Sequence, residues 1–274
     1  HHPPPGVGHP AAIIQGFRML PPEMERDAYR VAAPKYCVAG WLVDIGRRFG
    51  VPEEQLLHVP LGLDHDLFSA RQPFDDREID VLMVFNGHHQ KGWKVGLEAL
   101  HEISRQRPGV NGVVFGMLPL DEELPRGFRF VEAPTHRTLA DEIFNHAKVF
   151  VQPSYHEGFG YPAVEAMACG AALVTTDNGG SRDYGIEGRT AHVVLPGDAT
   201  GLATKTLELL DDDATRTRFA RAGTELVRAA FDWDRSSALL AAHLERYVAD
   251  PERFQQPPGP YEEWTGHGLG LEVL

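Results

Sequence analysis

Two glutamates, Glu157 and Glu165, flank a Gly-Phe-Gly turn and a proline in the stretch HEGFGYPAVEAMACG, His156 to Gly170. An ionised carboxylate accepts hydrogen bonds and donates none, so its natural small-molecule partner is a pair of hydroxyls, as on a sugar or a ribose. Gly158 and Gly160 let the backbone turn sharply and approach a ligand closely. Pro162 presets a helical φ, and its missing N–H costs nothing in a first turn. The free N–H groups and positive dipole end of a helix opening there favour a phosphate. On one continuous helix the two acids would sit partly off-face. The glycines instead put Glu157 in a loop and Glu165 near the first helical turn, so both could reach one bound molecule from different sides. Carboxylates beside a diphosphate would repel it, so they are expected to hold the two ends of such a molecule and leave its middle to cations.

The elements that must position these residues are readable from periodicity. From Asp80 onward, short apolar runs alternate with helical stretches. The runs are DVLMVF (80–85), GVVFG (112–116), FRFVEA (128–133), VFVQP (149–153), AALVTT (171–176) and AHVVLP (191–196). The intervening helices are expected at 93–107, 138–148 and 162–169. This alternation means a parallel sheet covered on both faces, and the Glu157 loop then lies at the carboxyl end of a strand, where open α/β sheets bind ligands. Helices at 198–210, 214–229 and 233–248 follow, and a Pro/Gly-rich tail begins after Asp250. Before Asp80, AAIIQGF, KYCVAG and LLHVPLG read as three strands with helices at 22–31 and 41–49 between them. Residues 68–78 read as a polar linker. Three strands and two helices make about half of a doubly wound unit.

Composition narrows the function. The chain has 274 residues, 42% apolar, with a formal net charge of −13. The acidic balance argues against nucleic acid as main partner, since phosphate-backbone binding needs a basic footprint. No run of about 18 apolar residues offers a membrane span. HHPPPGVGHP lacks the apolar core of a signal peptide, and Cys37 and Cys169 read as reduced core thiols of a cytoplasmic protein. No His/Asp cluster has metal-ligand spacing, and no G-x-G-x-x-G follows an early strand, which disfavours an NAD-linked oxidoreductase.

The combination at 156–170 resembles the signature of the retaining glycosyltransferases of GT-B architecture, the glycosyl transferases group one. That pattern is glutamate, Gly-Phe-Gly, proline, then a second glutamate followed by Ala-Met-Ala and glycine. VPLGLDHDLF (59–68) is similar to the family's entry into its donor domain, FNGHHQKGW (85–93) to its first donor-domain loop, and TTDNGGSRDYGIEGRTAHVVLPGD (175–198) to its later landmarks. The resemblance implies an α/β, GT-B fold: residues 71–250 as a Rossmann-like, nucleotide-sugar-binding domain, 1–70 as a truncated remnant of an N-terminal acceptor-side domain, and 251–274 as an irregular tail.

By resemblance, Glu157 lies against the donor sugar and Glu165 holds the ribose, with Gly158, Phe159 and Gly160 lining sugar and phosphates. Gly87, His88 and Lys91 of the first loop fall in the donor site, with Lys91 neutralising the diphosphate and, with Glu157, counted as catalytic. Base recognition falls near Pro134. Two positions depart from the pattern. Asn86 stands where the family has arginine, so either His88 or His89 partly substitutes or neutralisation is weaker. Asp183 stands where the Gly179-Gly180 turn is usually followed by glutamate, and a helix-capping role suits it equally. The activity implied is transfer of a sugar from a nucleoside diphosphate to a glycan or lipid-linked acceptor with retention at the anomeric carbon. No metal or cofactor is expected, and the setting would be polysaccharide or surface-glycan synthesis, with peripheral membrane contact left open. The competing expectation is a catalytically idle nucleotide-sugar-binding module.

Overall fold

A computed structural model describes residues 8–18, 21–74 and 76–261. The chain forms two compact units, divided after Gly62 and again before Phe231. The first unit opens with β1 (Ala12–Ile14), α1 (Pro22–Arg30), β2 (Lys35–Cys37), α2 (Gly40–Arg48) and β3 (Leu56–His58). Its three strands are parallel in the order β1-β2-β3. The three strand and two helix expectations therefore hold. Lys35 is fully buried on the central strand, and its ammonium donates to the carbonyls of Val31 (2.6 Å) and Ala33 (2.5 Å) just after α1. Burial pulls that ammonium's pKa down to about 8.

The second unit, residues 63–230, carries β4 (Ile79–Phe85), α3 (Trp93–Gln106), β5 (Gly112–Gly116), β6 (Phe128–Glu132), α4 (His136–Thr138) and β7 (Ala147–Gln152). It continues with α5 (Tyr161–Ala168), β8 (Ala172–Thr176), β9 (Ala191–Val194), α6 (Ala199–Asp211) and α7 (Asp213–Ala230). The sheet is parallel throughout, in the order β6-β5-β4-β7-β8-β9. Apolar side chains from both faces of its inner strands are buried. Val81, Met83, Val149, Val151 and Val174 pack in one cluster with Leu100 and Ile103 of α3 and Leu202 and Leu209 of α6. A continuous apolar strand is what a sheet covered on both faces requires.

Two expectations about local structure change. The helix anticipated at 138–148 is a short α turn followed by a π turn (Leu139–Ile143) and a 3₁₀ turn (Phe144–His146). Ala147 and Lys148 already belong to β7, because Ala147 pairs with Ile79 and Lys148 Nζ meets Asp80 at 2.7 Å. Long-range pairing overrides local helical pattern there. The polar linker at 68–78 is anchored rather than solvated: Phe68 packs against Phe144, and buried Arg77 donates to the carbonyls of Ala147 (2.8 Å) and Cys169 (2.7 Å).

The last long helix, α8 (Trp233–Ala249), groups with the first unit, not with the range 71–250. There His243 Nδ1 lies 3.3 Å from the Tyr36 hydroxyl, and the Tyr247 hydroxyl donates to the Pro10 carbonyl at 2.7 Å. The tail expected to be irregular is described to residue 261. It contains a 3₁₀ turn (Glu252–Phe254) with Phe254 buried, and Gly259 N–H donates to Gly50 O at 2.8 Å. Both cysteines are free and buried. Among the described residues no helix is long and apolar enough to cross a membrane.

Candidate active site

The chain runs outward from β4 to β5 and β6, then returns to place β7 on the other side of β4. At such a reversal the loops leaving two adjacent parallel strands diverge and open a crevice at their carboxyl ends. Here those loops are 86–92, after β4, and 153–160, after β7. They touch through backbone: Gln90 O accepts from the N–H of Tyr155 (2.8 Å) and of His156 (3.2 Å). Gly92 makes the approach feasible. Its φ is +65°, and a Cβ there would sit 2.0 Å from the Pro153 carbonyl oxygen.

This contact brings Lys91 to Glu157. Lys91 Nζ donates to Glu157 Oε2 at 2.7 Å, and Ser154 Oγ donates to Oε1 at 2.8 Å. Glu157 is 8% exposed. A carboxylate this buried needs such partners, since an uncompensated charge in a low-dielectric surround is costly. Ser154 was not singled out from sequence, although its position three residues before Glu157 on one loop was the available signal.

The backbone of Glu157 is also held. Its N–H donates to Asn178 O at 2.9 Å, its carbonyl accepts from Gly180 N–H at 3.1 Å, and a parallel bridge joins Glu157 and Gly179. Gly180 is obligatory there, because a Cβ would come 2.4 Å from the Phe159 carbonyl oxygen. Behind the turn lies a buried polar cluster absent from the sequence reading. Gln152 Oε1 accepts from Thr175 Oγ1 (3.1 Å) and from the Tyr184 hydroxyl (3.2 Å), and the Asn178 side chain accepts from Ser181 N–H at 2.9 Å. Gly160, at φ +102°, rests on this cluster.

Helix α5 begins at Tyr161, one residue before the expected start, with Gly160 as its N-cap and no side-chain cap. The N–H groups of Ala163 (3.1 Å) and Val164 (3.4 Å) both turn to the Gly160 carbonyl. The N-terminal end therefore offers chiefly its dipole, not a set of open donors. Glu165 is the fifth residue of this helix, hence in its second turn rather than its first. It is half-buried, and desolvation pushes its carboxyl pKa up to about 7.

Other sequence candidates are placed differently. Asn86, in the family's arginine position, accepts the N–H of His88 at 3.0 Å and so shapes the loop. His89 stacks parallel on Tyr155, with ring centroids 5.3 Å apart. Gly87 and His88 line a cavity of about 440 Å³ that Lys91, Glu157 and Glu165 do not line. Pro134 is buried after edge strand β6, just before Thr135, which caps α4 through Oγ1 and the Thr138 N–H at 3.1 Å. Asp183 ends the 3₁₀ turn Gly180–Asp183, whose N-cap is Gly179, so it does not cap that turn.

The fold is that of GT-B glycosyltransferases. The chain is similar to sucrose-phosphate synthase from Thermosynechococcus elongatus, with a TM-score of 0.70 at 24% identity, covering 83% of this chain and 61% of that one. It is likewise similar to Anabaena HepE solved in complex with UDP and glucose, with a TM-score of 0.70 at 18% identity over 86% of this chain and 71% of that one. The model of the glycosyl transferases group 1 family matches residues 64–226, and the chain belongs to that family. A glycogen synthase of Mycobacterium tuberculosis is 30% identical over 247 residues, which cover 85% of this chain and 58% of the relative. A D-inositol 3-phosphate glycosyltransferase of Arthrobacter sp. strain FB24 is 39% identical over 215 residues, 71% of this chain and 50% of the relative. The chain thus spans about half the length of these curated relatives.

Proposed function

We propose that this chain carries the donor side of a retaining glycosyltransferase, cytoplasmic in location, that moves a sugar from a nucleoside diphosphate to a glycan or lipid-linked acceptor. The observation that carries this reading is the Lys91–Glu157–Ser154 cluster at the switch point. Without donor, Lys91 and Glu157 neutralise one another. A diphosphate presents more negative charge to Lys91 than one carboxylate does, so the ammonium turns to it. Glu157, still held by Ser154, then offers Oε2 to a sugar hydroxyl. Glu165 takes the ribose hydroxyl pair, Gly158–Gly160 line the sugar and phosphates, and the base lies toward Pro134.

In the transfer step the bond between the anomeric carbon and the diphosphate oxygen breaks, and a bond to the acceptor oxygen forms on the same face. Negative charge building on the leaving diphosphate is met by Lys91 and by the dipole of α5, without a divalent ion. The departing phosphate takes the acceptor's proton. Polysaccharide or surface-glycan synthesis is the proposed setting.

A second reading, an idle nucleotide-sugar-binding module, is favoured by one observation: Asn86, in the family's arginine position, carries no charge for a diphosphate and accepts the His88 N–H instead. Calorimetric titration with UDP-glucose, GDP-mannose and dTDP-glucose, followed by assays for hydrolysis and transfer, separates the two. A bound donor hydrolysed slowly with no transfer to any acceptor establishes the module. Lys91→Ala and Glu165→Ala are each expected to weaken donor binding about tenfold or more, the loss of one charge-assisted hydrogen bond. Unchanged affinity in both variants refutes the donor site.

A further inference from the structure

The 86–92 loop is tied to the 153–157 loop in three ways. Gln90 O accepts the N–H groups of Tyr155 and His156, Lys91 Nζ reaches Glu157 Oε2, and the His89 ring lies flat on the Tyr155 ring. The two rings have centroids 5.3 Å apart and planes 1° from parallel, within the range of a stacked aromatic pair. Tyr155 is the fixed partner, half-buried and packed against the apolar cluster of the second unit, whereas His89 is exposed.

His89 also opens the single 3₁₀ turn His89–Lys91. That turn is closed by Lys91 N–H donating to His88 O (2.9 Å) and Gly92 N–H donating to His89 O (3.0 Å). Lys91 therefore stands two residues from the stacked ring on one closed turn, and fixing the ring limits where the ammonium can go. The three ties respond differently to an anion. A diphosphate that draws Lys91 away from Glu157 removes the ion pair and leaves the Gln90 bonds and the stack. Of the three ties, the stack is then the one made by side chains that persists.

We propose that His89 is a positioning residue for Lys91, acting through its ring stack on Tyr155 and not through its charge. The inference rests on the reading of Lys91 as the cation for the diphosphate. It adds how that cation is kept in place when Asn86 stands in the family's arginine position. A loop ordered before the ligand arrives spares the binding step that ordering.

Two substitutions separate ring from charge. His89→Phe keeps a stacking face without charge, and His89→Lys keeps a charge without a ring. Calorimetric titration with UDP and with GDP compares these with His89→Ala, Lys91→Ala and the His89→Ala/Lys91→Ala pair. His89→Ala and His89→Lys should each weaken the tighter nucleotide about two- to tenfold, the worth of one aromatic pair, while His89→Phe stays near the native value. In the Lys91→Ala background His89→Ala should cost nothing further, because positioning acts only through Lys91. A readout without ligand is hydrogen exchange at the Tyr155 and His156 amides, which should quicken about two- to tenfold in His89→Ala and His89→Lys but not in His89→Phe. Rescue by lysine instead of phenylalanine, a His89→Ala effect undiminished in the Lys91→Ala background, or unchanged exchange in His89→Ala overturns the positioning role and leaves the donor site standing. Nucleotide binding unchanged in Lys91→Ala overturns the donor role of Lys91 itself, and the positioning role with it.

Discussion

Replacing Gly160 by alanine would put a methyl group 2.3 Å from the Tyr184 hydroxyl oxygen and 3.0 Å from Nε2 of Gln152. It would also force an L-residue to φ +102°. The backbone strain costs about 1–3 kcal/mol and overpacking a filled interior about 1–3 kcal/mol, together about 2–6 kcal/mol. The two parts can be told apart because the closest contact is a single atom. Tyr184→Phe deletes that oxygen, after which the ring carbon Cζ lies 3.4 Å from the methyl group, an ordinary contact. Alone, Tyr184→Phe removes one hydrogen bond to Gln152, which retains the bond from Thr175, and should cost about 1 kcal/mol. In the double variant the overpacking is largely relieved, so the pair should be less destabilised than the sum of the singles by about 1–2 kcal/mol. Urea unfolding of the four proteins measures this as a shift in midpoint. Strict additivity, or a stable Gly160→Ala protein, would refute the packing of the 157–160 turn on the Gln152 cluster.

Two predictions concern pH. Glu165 has a folded pKa raised to about 7, so the folded state holds a proton that the unfolded state releases, and stability should fall as pH rises from about 4.5 through 7. Glu165→Gln should flatten that limb, while donor binding to the native protein should strengthen as the carboxylate forms near pH 7; equal slopes in both proteins would contradict this. Lys35 is the opposite case: its folded pKa is lowered to about 8, the unfolded chain binds the extra proton, and stability should rise between about pH 8 and 10.5. Thermal melts of the native protein and Lys35→Met across that window should differ in slope, and an unchanged slope would show that the Lys35 ammonium is not the titrating group.

Much of the candidate site was legible because its signals are local. Glycine at a turn, proline in a first helical turn and apolar runs of strand length act over a few residues, and these marked Glu157, Glu165 and six strands between Ile79 and Val194. The family match at 64–226 falls wholly within the second unit. Local pattern was misleading where pairing partners are distant in sequence, as at Ala147, drawn into a strand by Ile79. The polar residues behind the turn carry no periodic signature. Gln152, Thr175 and Tyr184 each read as ordinary strand or loop residues until the sheet sets them side by side.

Composition and local pattern by themselves determined the class of fold, the order of its elements and the identity of the motif acids, since those depend on interactions between near neighbours. Only the tertiary structure decided that β7 returns beside β4, which brings Lys91 and Glu157 together across 66 positions of chain. It also assigned Trp93–Tyr155 surroundings to a cavity apart from those acids, and α8 to the first unit. Strand order and helix docking are settled by which buried surfaces and which backbone hydrogen bonds can be satisfied simultaneously, a property of the whole packed chain that no window of sequence contains.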